Sequence, residues 1–363
     1  MKIAITGTRG IPNILGGVET HCEELFPLIA EKNYDITIIR RKGYVKDHLH
    51  QYKGIKLYDL TAPKKKAFEA ITHTFKAISL AKFKLKADVI HIHAVGPALA
   101  IPYAKLLGLK VVFTHHGPDY DRDKWGRTAK KALLLGEKLG IKYSDEVIVI
   151  SNVINDIIKI KYQKTNAHLI HNGVPQPVFH TDAEYLKSLN IQAGKYIFAM
   201  GRFVPEKNFH QLIHAFDSIE DKKGYQLVIA GDTDFEDEYS QGLKKLAKEK
   251  GVILTGFIKG NKLHTLLTNT KAFILPSSHE GLPISLLEAM SYNLPVLVSD
   301  IPANKEVGLA ESAYFQTNNQ DELKEKLNLL INSEAEKISY PMDNYKWEKI
   351  AEQTTKVYEK IIH

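Results

Sequence analysis

Short runs of aliphatic and β-branched residues recur along the chain. Between them apolar residues return every three or four positions. The runs read as buried strands and the longer period as amphipathic helices. In the first half, strands are expected at Lys2–Gly7, Asp35–Arg40, Ile55–Asp59, Asp88–His93, Lys110–Thr114, Glu146–Ile150 and Ala167–Ile170. Helices are expected at Val18–Glu31, Phe68–Ala81 and Lys130–Tyr143. The pattern lapses into a proline-containing connection at Pro175–Ala193. It restarts with strands at Tyr196–Met200, Gln226–Ala230, Val252–Leu254, Ala272–Leu275 and Val296–Ser299. Helices are read at Phe209–Ile219, Glu238–Lys250, Ile284–Tyr292, Asp321–Ile331 and Tyr345–Ile361. Such alternation predicts α/β architecture with parallel sheets covered on both faces. The expectation is two Rossmann-like, doubly wound domains facing across a cleft, residues 1–178 and 179–344, followed by a last helix over 345–363. A length of 363 residues suits two domains.

Composition narrows the classes. Hydrophobic residues at 44% and charged residues at 25% exclude a disordered or fibrous chain. A single cysteine, Cys22, excludes an intrachain disulfide and a cysteine zinc cage. The N-terminus reads as a first strand and turn rather than a signal peptide. The weakly polar stretch Val89–Leu109 is interrupted by His91, His93, Pro97, Pro102 and Lys105, which argues against a membrane span. A cytoplasmic protein is expected. The net charge of +7 is unevenly spread: residues 1–180 carry 28 Lys+Arg and 16 Asp+Glu, a net of +12. A basic half suits an anionic partner or is a solvated lysine-rich surface. No nucleic-acid motif accompanies it, and no nucleic-acid partner is expected.

Open parallel sheets bind ligands beyond the carboxyl ends of their strands. The first expected strand ends in Gly7-Thr8-Arg9-Gly10, and Gly16-Gly17-Val18-Glu19 opens a helix. The dinucleotide spacing G-x-G-x-x-G is absent. Paired glycines at a helix start still let backbone approach a phosphate. The strand at Tyr196–Met200 runs into Gly201-Arg202, with Lys207 five residues on, a guanidinium fork and a point charge suited to phosphate oxygens. The strand at Ala272–Leu275 runs into a polar loop, Glu280-Gly281-Leu282-Pro283, then a helix from Ile284 carrying Glu288. Its free N–H groups and positive end face the strand ends. Eight helical residues separate Glu280 from Glu288 by about 12 Å. That exceeds the ~5–9.5 Å of a glycosidase pair. Two carboxylates so spaced suit hydroxyls at two ends of an extended ligand.

Glu280-x7-Glu288, preceded by Gly201-Arg202…Lys207, resembles the donor site of family-four retaining glycosyltransferases of the GT-B fold. Gly16-Gly17-Val18-Glu19, His115-His116-Gly117, Ile150-Ser151-Asn152, His171-Asn172-Gly173-Val174, Val228-Ile229-Ala230-Gly231-Asp232 and Thr255-Gly256-Phe257 follow in the family's order. The segments TRGIPNILGGVET, HIHAVGPALAIPYAKLLG and THHGPDYDRDKWG resemble the bacterial rhamnosyltransferase-like group of surface-polysaccharide assembly. Pro118 and Tyr120 depart from that group's Leu or Ile and Trp.

The resemblance implies that the last helix, with Trp347, crosses back to the N-terminal domain. It also implies that Arg202 and Lys207 hold the diphosphate, Glu288 binds ribose, and Glu280 touches the donor sugar. Gly281, Leu282, Pro283 and Ile284 would line the donor, Gly16 and Gly17 would approach its diphosphate, and His116 would reach its sugar. Retention by front-face displacement is implied, with the leaving phosphate taking the acceptor's proton. Two cations and a helix end can stabilise that leaving group without a metal, so no cofactor is expected. The implied partners are a nucleotide-diphosphate sugar and a glycan or polyprenyl-linked acceptor.

Asp232-Thr233-Asp234 and Asp121-Arg122-Asp123 match the Asp-x-Asp pattern of metal-dependent glycosyltransferases, but three residues recur by chance and no ligand role is assigned to them. His91, His93, His115 and His116 gather near one sheet edge without partnering carboxylate spacing, and only His116 is kept as a site residue. The segment Ala62–Lys86 pairs Lys64, Lys65, Lys66, Lys76, Lys82, Lys84 and Lys86 with Phe68, Ile71, Phe75 and Ile78. It is either a core-facing helix with a cationic outer face or a helix peripheral to an anionic membrane. Two rival functions remain: a nucleotide-sugar epimerase of the same architecture, and a bilobed binding protein.

Overall fold

The computed structural model describes every residue except 64–65, 123–124, 335–336 and 363, and the side chains of 66–68. The chain forms two compact units. One comprises Met1–Gly173 with Asn344–His363, the other Val174–Asp343.

The first unit holds strands β1 (Lys2–Thr6), β2 (Asp35–Arg41), β3 (Gln51–Tyr52), β4 (Ile55–Leu60), β5 (Val89–His93), β6 (Lys110–His115), β7 (Glu146–Val149) and β8 (His168–Leu169). They lie in the order β3-β4-β2-β1-β5-β6-β7-β8. All pairs are parallel except the β3–β4 hairpin. In register, Ile5 pairs with His91 and Ile92 with Phe113. Every residue of β5 is buried, because helices cover both faces of a parallel sheet. The chain order reverses between β1 and β5, so the loops after these two strands flank the crevice where such sheets bind ligands.

The second unit holds β9 (Tyr196–Met200), β10 (Gln226–Ala230), β11 (Ile253–Leu254), β12 (Ala272–Leu275), β13 (Val296–Ser299) and β14 (Tyr314–Phe315). Their order is β11-β10-β9-β12-β13-β14, all parallel. Here the reversal falls between β9 and β12. The Arg202–Lys207 and Glu280 loops follow those two strands.

The helix Trp347–Lys360 belongs to the first unit. It packs against the helix Gly17–Ala30. Trp347 lies against Gly173, where any Cβ would run into the indole ring. Tyr358 meets His91 Nδ1 across 2.6 Å in the core. These contacts cost a buried phenol no unpaired O–H.

The connection Pro175–Ala193, expected to be irregular, contains a helix, Ala183–Ser188. Asp182 caps it by accepting from the Tyr185 N–H at 2.9 Å. Six residues are too few to display a helical period. Unanticipated too are the helices Ile101–Leu106, Asn152–Tyr162 and Asn261–Asn269 and the two-residue strands β3 and β14. No helix among the described residues is long and apolar enough to cross a membrane.

Candidate functional site

In the second unit, buried β9 ends at Met200 and the chain turns through Gly201 and Arg202 into a short 3₁₀ turn, Pro205–Lys207. Asn208, in the left-handed conformation, ends that turn. Its amide donates to the Pro276 carbonyl at 3.1 Å. The Ser278 N–H donates to the Glu206 carbonyl at 2.9 Å. The loops after β9 and β12 are thus tied together by backbone. The Lys207 ammonium lies 2.5 Å from Glu280 Oε1, with both side chains largely buried at 15% and 12% exposure. Two residues expected to serve different parts of a ligand are therefore an ion pair. In a site of low dielectric such a pair fixes both groups before anything binds.

The helix Ile284–Ser291 starts one residue after Pro283, which occupies the N-cap rather than the first helical turn. No side chain caps this end. Leu282 and Ile284 are buried, anchoring the loop, while Gly281 and Glu288 are only partly buried. Among the Asp-x-Asp residues, Asp232 is 3.0 Å from Lys244, an ion pair on the surface. Asp123 lies outside the described residues.

In the first unit, the loop after β1 is held from behind by Glu19. Its Oε1 accepts from the Arg9 N–H at 3.0 Å and from Thr8 Oγ1 at 3.2 Å, and its Oε2 meets Arg9 Nη2 at 2.8 Å. Arg9 Nη2 also donates to the Leu15 carbonyl. Gly16 sits under this pair at φ 150°, and a Cβ there would collide with the Arg9 and Glu19 side chains. Gly17 is different: a Cβ there would meet nothing within 4 Å. Packing and conformation explain Gly16 and leave Gly17 to another cause.

His115 and His116 follow the alternation of a strand to opposite sides. The Gly117 N–H donates to His115 Nδ1 at 3.1 Å, which leaves Nε2–H to donate to Glu137 at 2.8 Å. Glu137 is fully buried and also accepts from Tyr120 at 2.9 Å and Tyr162 at 2.6 Å. Burial opposes its charge, yet the bonds from His115, Tyr162 and Tyr120 hold the carboxyl below its usual range. Tyr120 is therefore fixed by its hydroxyl into the interior.

His116, partly exposed, faces His93: the His93 Nδ1 to His116 Nε2 distance is 2.9 Å. His21, from the helix Gly17–Ala30, joins them, its ring 4.9 Å from His116 and 5.7 Å from His93. His21 Nδ1 is held by Asn172 Oδ1 at 3.0 Å. Burial pushes the His21 ring down to about 4, the Asn172 bond opposing. Burial likewise pushes His91, His93 and His116 well below the usual histidine range, with neighbouring histidines adding to it. Sequence reasoning missed Arg9, Glu19, His21, Glu137 and Asn172 as organisers of these loops. Arg9, Glu19 and Asn172 stood inside quoted motifs; His21 and Glu137 carried no local signal.

Comparison with known proteins adds the family. Residues 15–176 match the model described as Glycosyltransferase Family 4, and residues 182–352 that of Glycosyl transferases group 1. An uncharacterized glycosyltransferase of Methanocaldococcus jannaschii is 25% identical, with 99% of this chain and 98% of that one covered. An Escherichia coli enzyme named UDP-Gal:alpha-D-GlcNAc-diphosphoundecaprenol alpha-1,3-galactosyltransferase is 27% identical, covering 84% of this chain and 81% of that one. Anabaena HepE, solved in complex with UDP-glucose, superposes with a TM-score of 0.80 at 16% identity, over 99% of this chain and 100% of that one. Each half thus matches a glycosyltransferase family, and the two parallel-sheet units have the GT-B fold.

Proposed function

We propose that the protein is a retaining, metal-independent glycosyltransferase that moves a hexosyl or deoxyhexosyl group from a nucleoside-diphosphate sugar to a glycan acceptor. The observation carrying this reading is the Lys207–Glu280 ion pair at the β9/β12 reversal, with Arg202 in the same loop. Lys207 and Arg202 bind the diphosphate and stabilise its charge as the glycosyl bond breaks. Glu280, already oriented by Lys207, accepts from a donor-sugar hydroxyl, and Glu288 accepts from ribose hydroxyls. Backbone N–H groups from Gly281 to Ile284, around Pro283, meet the sugar and phosphates. In the first unit, Gly16, Gly17 and His116 are the proposed donor contacts. The leaving phosphate takes the acceptor's proton as the new bond forms on the same face.

A UDP-sugar donor and a polyprenyl-diphosphate acceptor are the first candidates, supported by the ligand of HepE and the name of the E. coli relative. The surface-polysaccharide context, including the rhamnosyltransferase-like assignment, belongs to the same proposal. So does work at the inner face of the cell membrane, docked by the basic N-terminal half.

A mass-spectrometric screen of nucleotide sugars, run in excess EDTA, tests the reading. Slow donor hydrolysis or transfer should persist without divalent metal, and NMR should find the product anomer matching the donor. Activity restored only by Mg²⁺ or Mn²⁺, or an inverted anomer, would overturn the mechanism.

A further inference from the structure

His21, His93 and His116 come from the helix after β1, the end of β5 and the residue after β6. One ring nitrogen of each lies within 4.8 Å of those of the other two. Among the described residues they are the only such cluster of three or more histidine, cysteine or carboxylate groups. We propose that these three imidazoles form a binding site for a borderline transition-metal ion of the zinc type.

Four features carry the assignment. A tetrahedral zinc with Zn–N bonds of about 2.0–2.1 Å places its nitrogens roughly 3.3 Å apart. The 2.9 Å between His93 and His116 and the 4.8 Å limit for the set bracket that value. Small ring rotations reach it. Second, His21 is already oriented through its other side: Nδ1 meets Asn172 Oδ1, the outer-sphere contact that fixes ligating imidazoles. Third, His93 is fully buried and its Nε2 has no hydrogen-bond partner, so that nitrogen can take up the proton His93 Nδ1 shares with His116 Nε2 and leave the facing nitrogens free to ligate. Ligation by Nδ1 needs only a shift of tautomer. Fourth, the cluster contains no carboxylate, which disfavours Mg²⁺ and Ca²⁺ and suits zinc, copper or nickel.

None of its three residues is among the proposed diphosphate contacts, and the ion supplies no step of the proposed transfer. It shares His116 with that reading, so an ion held there removes His116 from the donor sugar. Zinc then acts as an inhibitor reversed by chelation. This last consequence rests on the proposed role of His116; the binding itself does not.

The test is a titration of untagged, chelator-stripped protein with Zn²⁺ by calorimetry and with Co²⁺ by visible absorption. One ion per chain is expected, with tetrahedral cobalt bands. His116→Ala, at a partly exposed position, should weaken binding at least tenfold, and Asn172→Ala should do so by about 10–100-fold. Replacing the exposed His48 and His50 by Ala should change nothing. Circular dichroism confirms folding of each variant. Absence of one-to-one binding, or binding unaltered in His116→Ala, would overturn the site. These readouts need neither donor nor acceptor, so failure of the transferase reading leaves them intact. Zinc binding without inhibition would overturn only the role given to His116.

Discussion

The Lys207 ammonium lies 2.5 Å from the Glu280 carboxylate, although 73 residues separate them in the chain. Each arrives on a loop that follows one of the two strands flanking the reversal of the second sheet. The cation proposed for phosphate and the carboxylate proposed for hydroxyls thus hold each other in place. Neither acts alone.

Non-additive kinetics should follow. Lys207→Ala and Glu280→Gln should each lower kcat, the former by about 10²–10³-fold. The double variant should lose much less than the product of the two. Glu288→Gln should chiefly raise the KM for donor instead. Strictly multiplicative losses at Lys207 and Glu280 would show that the pair does not act as a unit.

The two glycines ahead of the first helix should separate structure from binding. Gly16→Ala should destabilise the fold, since its φ of 150° and the Arg9 and Glu19 side chains leave no room. Gly17→Ala should fold as well as the parent, because the space is open. Its donor KM should nevertheless rise, since the methyl occupies the approach proposed for the diphosphate. Thermal unfolding with a donor titration reads both, and an unchanged KM would return Gly17 to a spacer.

Buried His73 predicts a pH dependence of stability. Burial, helped by the Arg41 charge, lowers its pKa from 6.5 to about 4. Its neutral form is kept in the fold while the unfolded chain takes up a proton below 6.5. Its contribution is present above pH 6.5 and is lost as pH falls toward 4, at about 1.4 kcal/mol per unit. Between pH 7 and pH 5, His73→Leu should lose about 2 kcal/mol less stability than the parent. Urea unfolding at both pH values measures this; equal losses would contradict it.

Membrane docking has a sharper probe than the lysines first noticed. Lys64 and Lys65 lie outside the described residues, as does the side chain of Lys66. Ile78 and Ala81 turn into the core, but Phe83 is 68% exposed between Lys82 and Lys84. Phe83→Ser with Lys82→Glu and Lys86→Glu should abolish salt-sensitive sedimentation with anionic vesicles, each cation contributing about 1 kcal/mol. Donor hydrolysis should be unchanged. Equal binding of the variant would make this segment an ordinary packed helix.

The strands that build both sheets were legible in the chain because burial on two faces leaves apolar runs, continuous in β9 and β12 and broken only by polar residues such as His91 in β5. The order of the glycine, Arg202–Lys207 and Glu280–Glu288 elements was legible too, since each loop lies local to one strand end. The helices Ala183–Ser188 and Asn261–Asn269 were not: the first is too short to show a period, and the second offers a single apolar turn, Leu263, Leu266 and Leu267. Strand order, register and the return of the last helix were decided in three dimensions. Those choices place Lys207 on Glu280, Tyr358 on His91, and His21 beside His93 and His116. A linear pattern records how each segment is buried, whereas partners distant in sequence are chosen by how the segments stack.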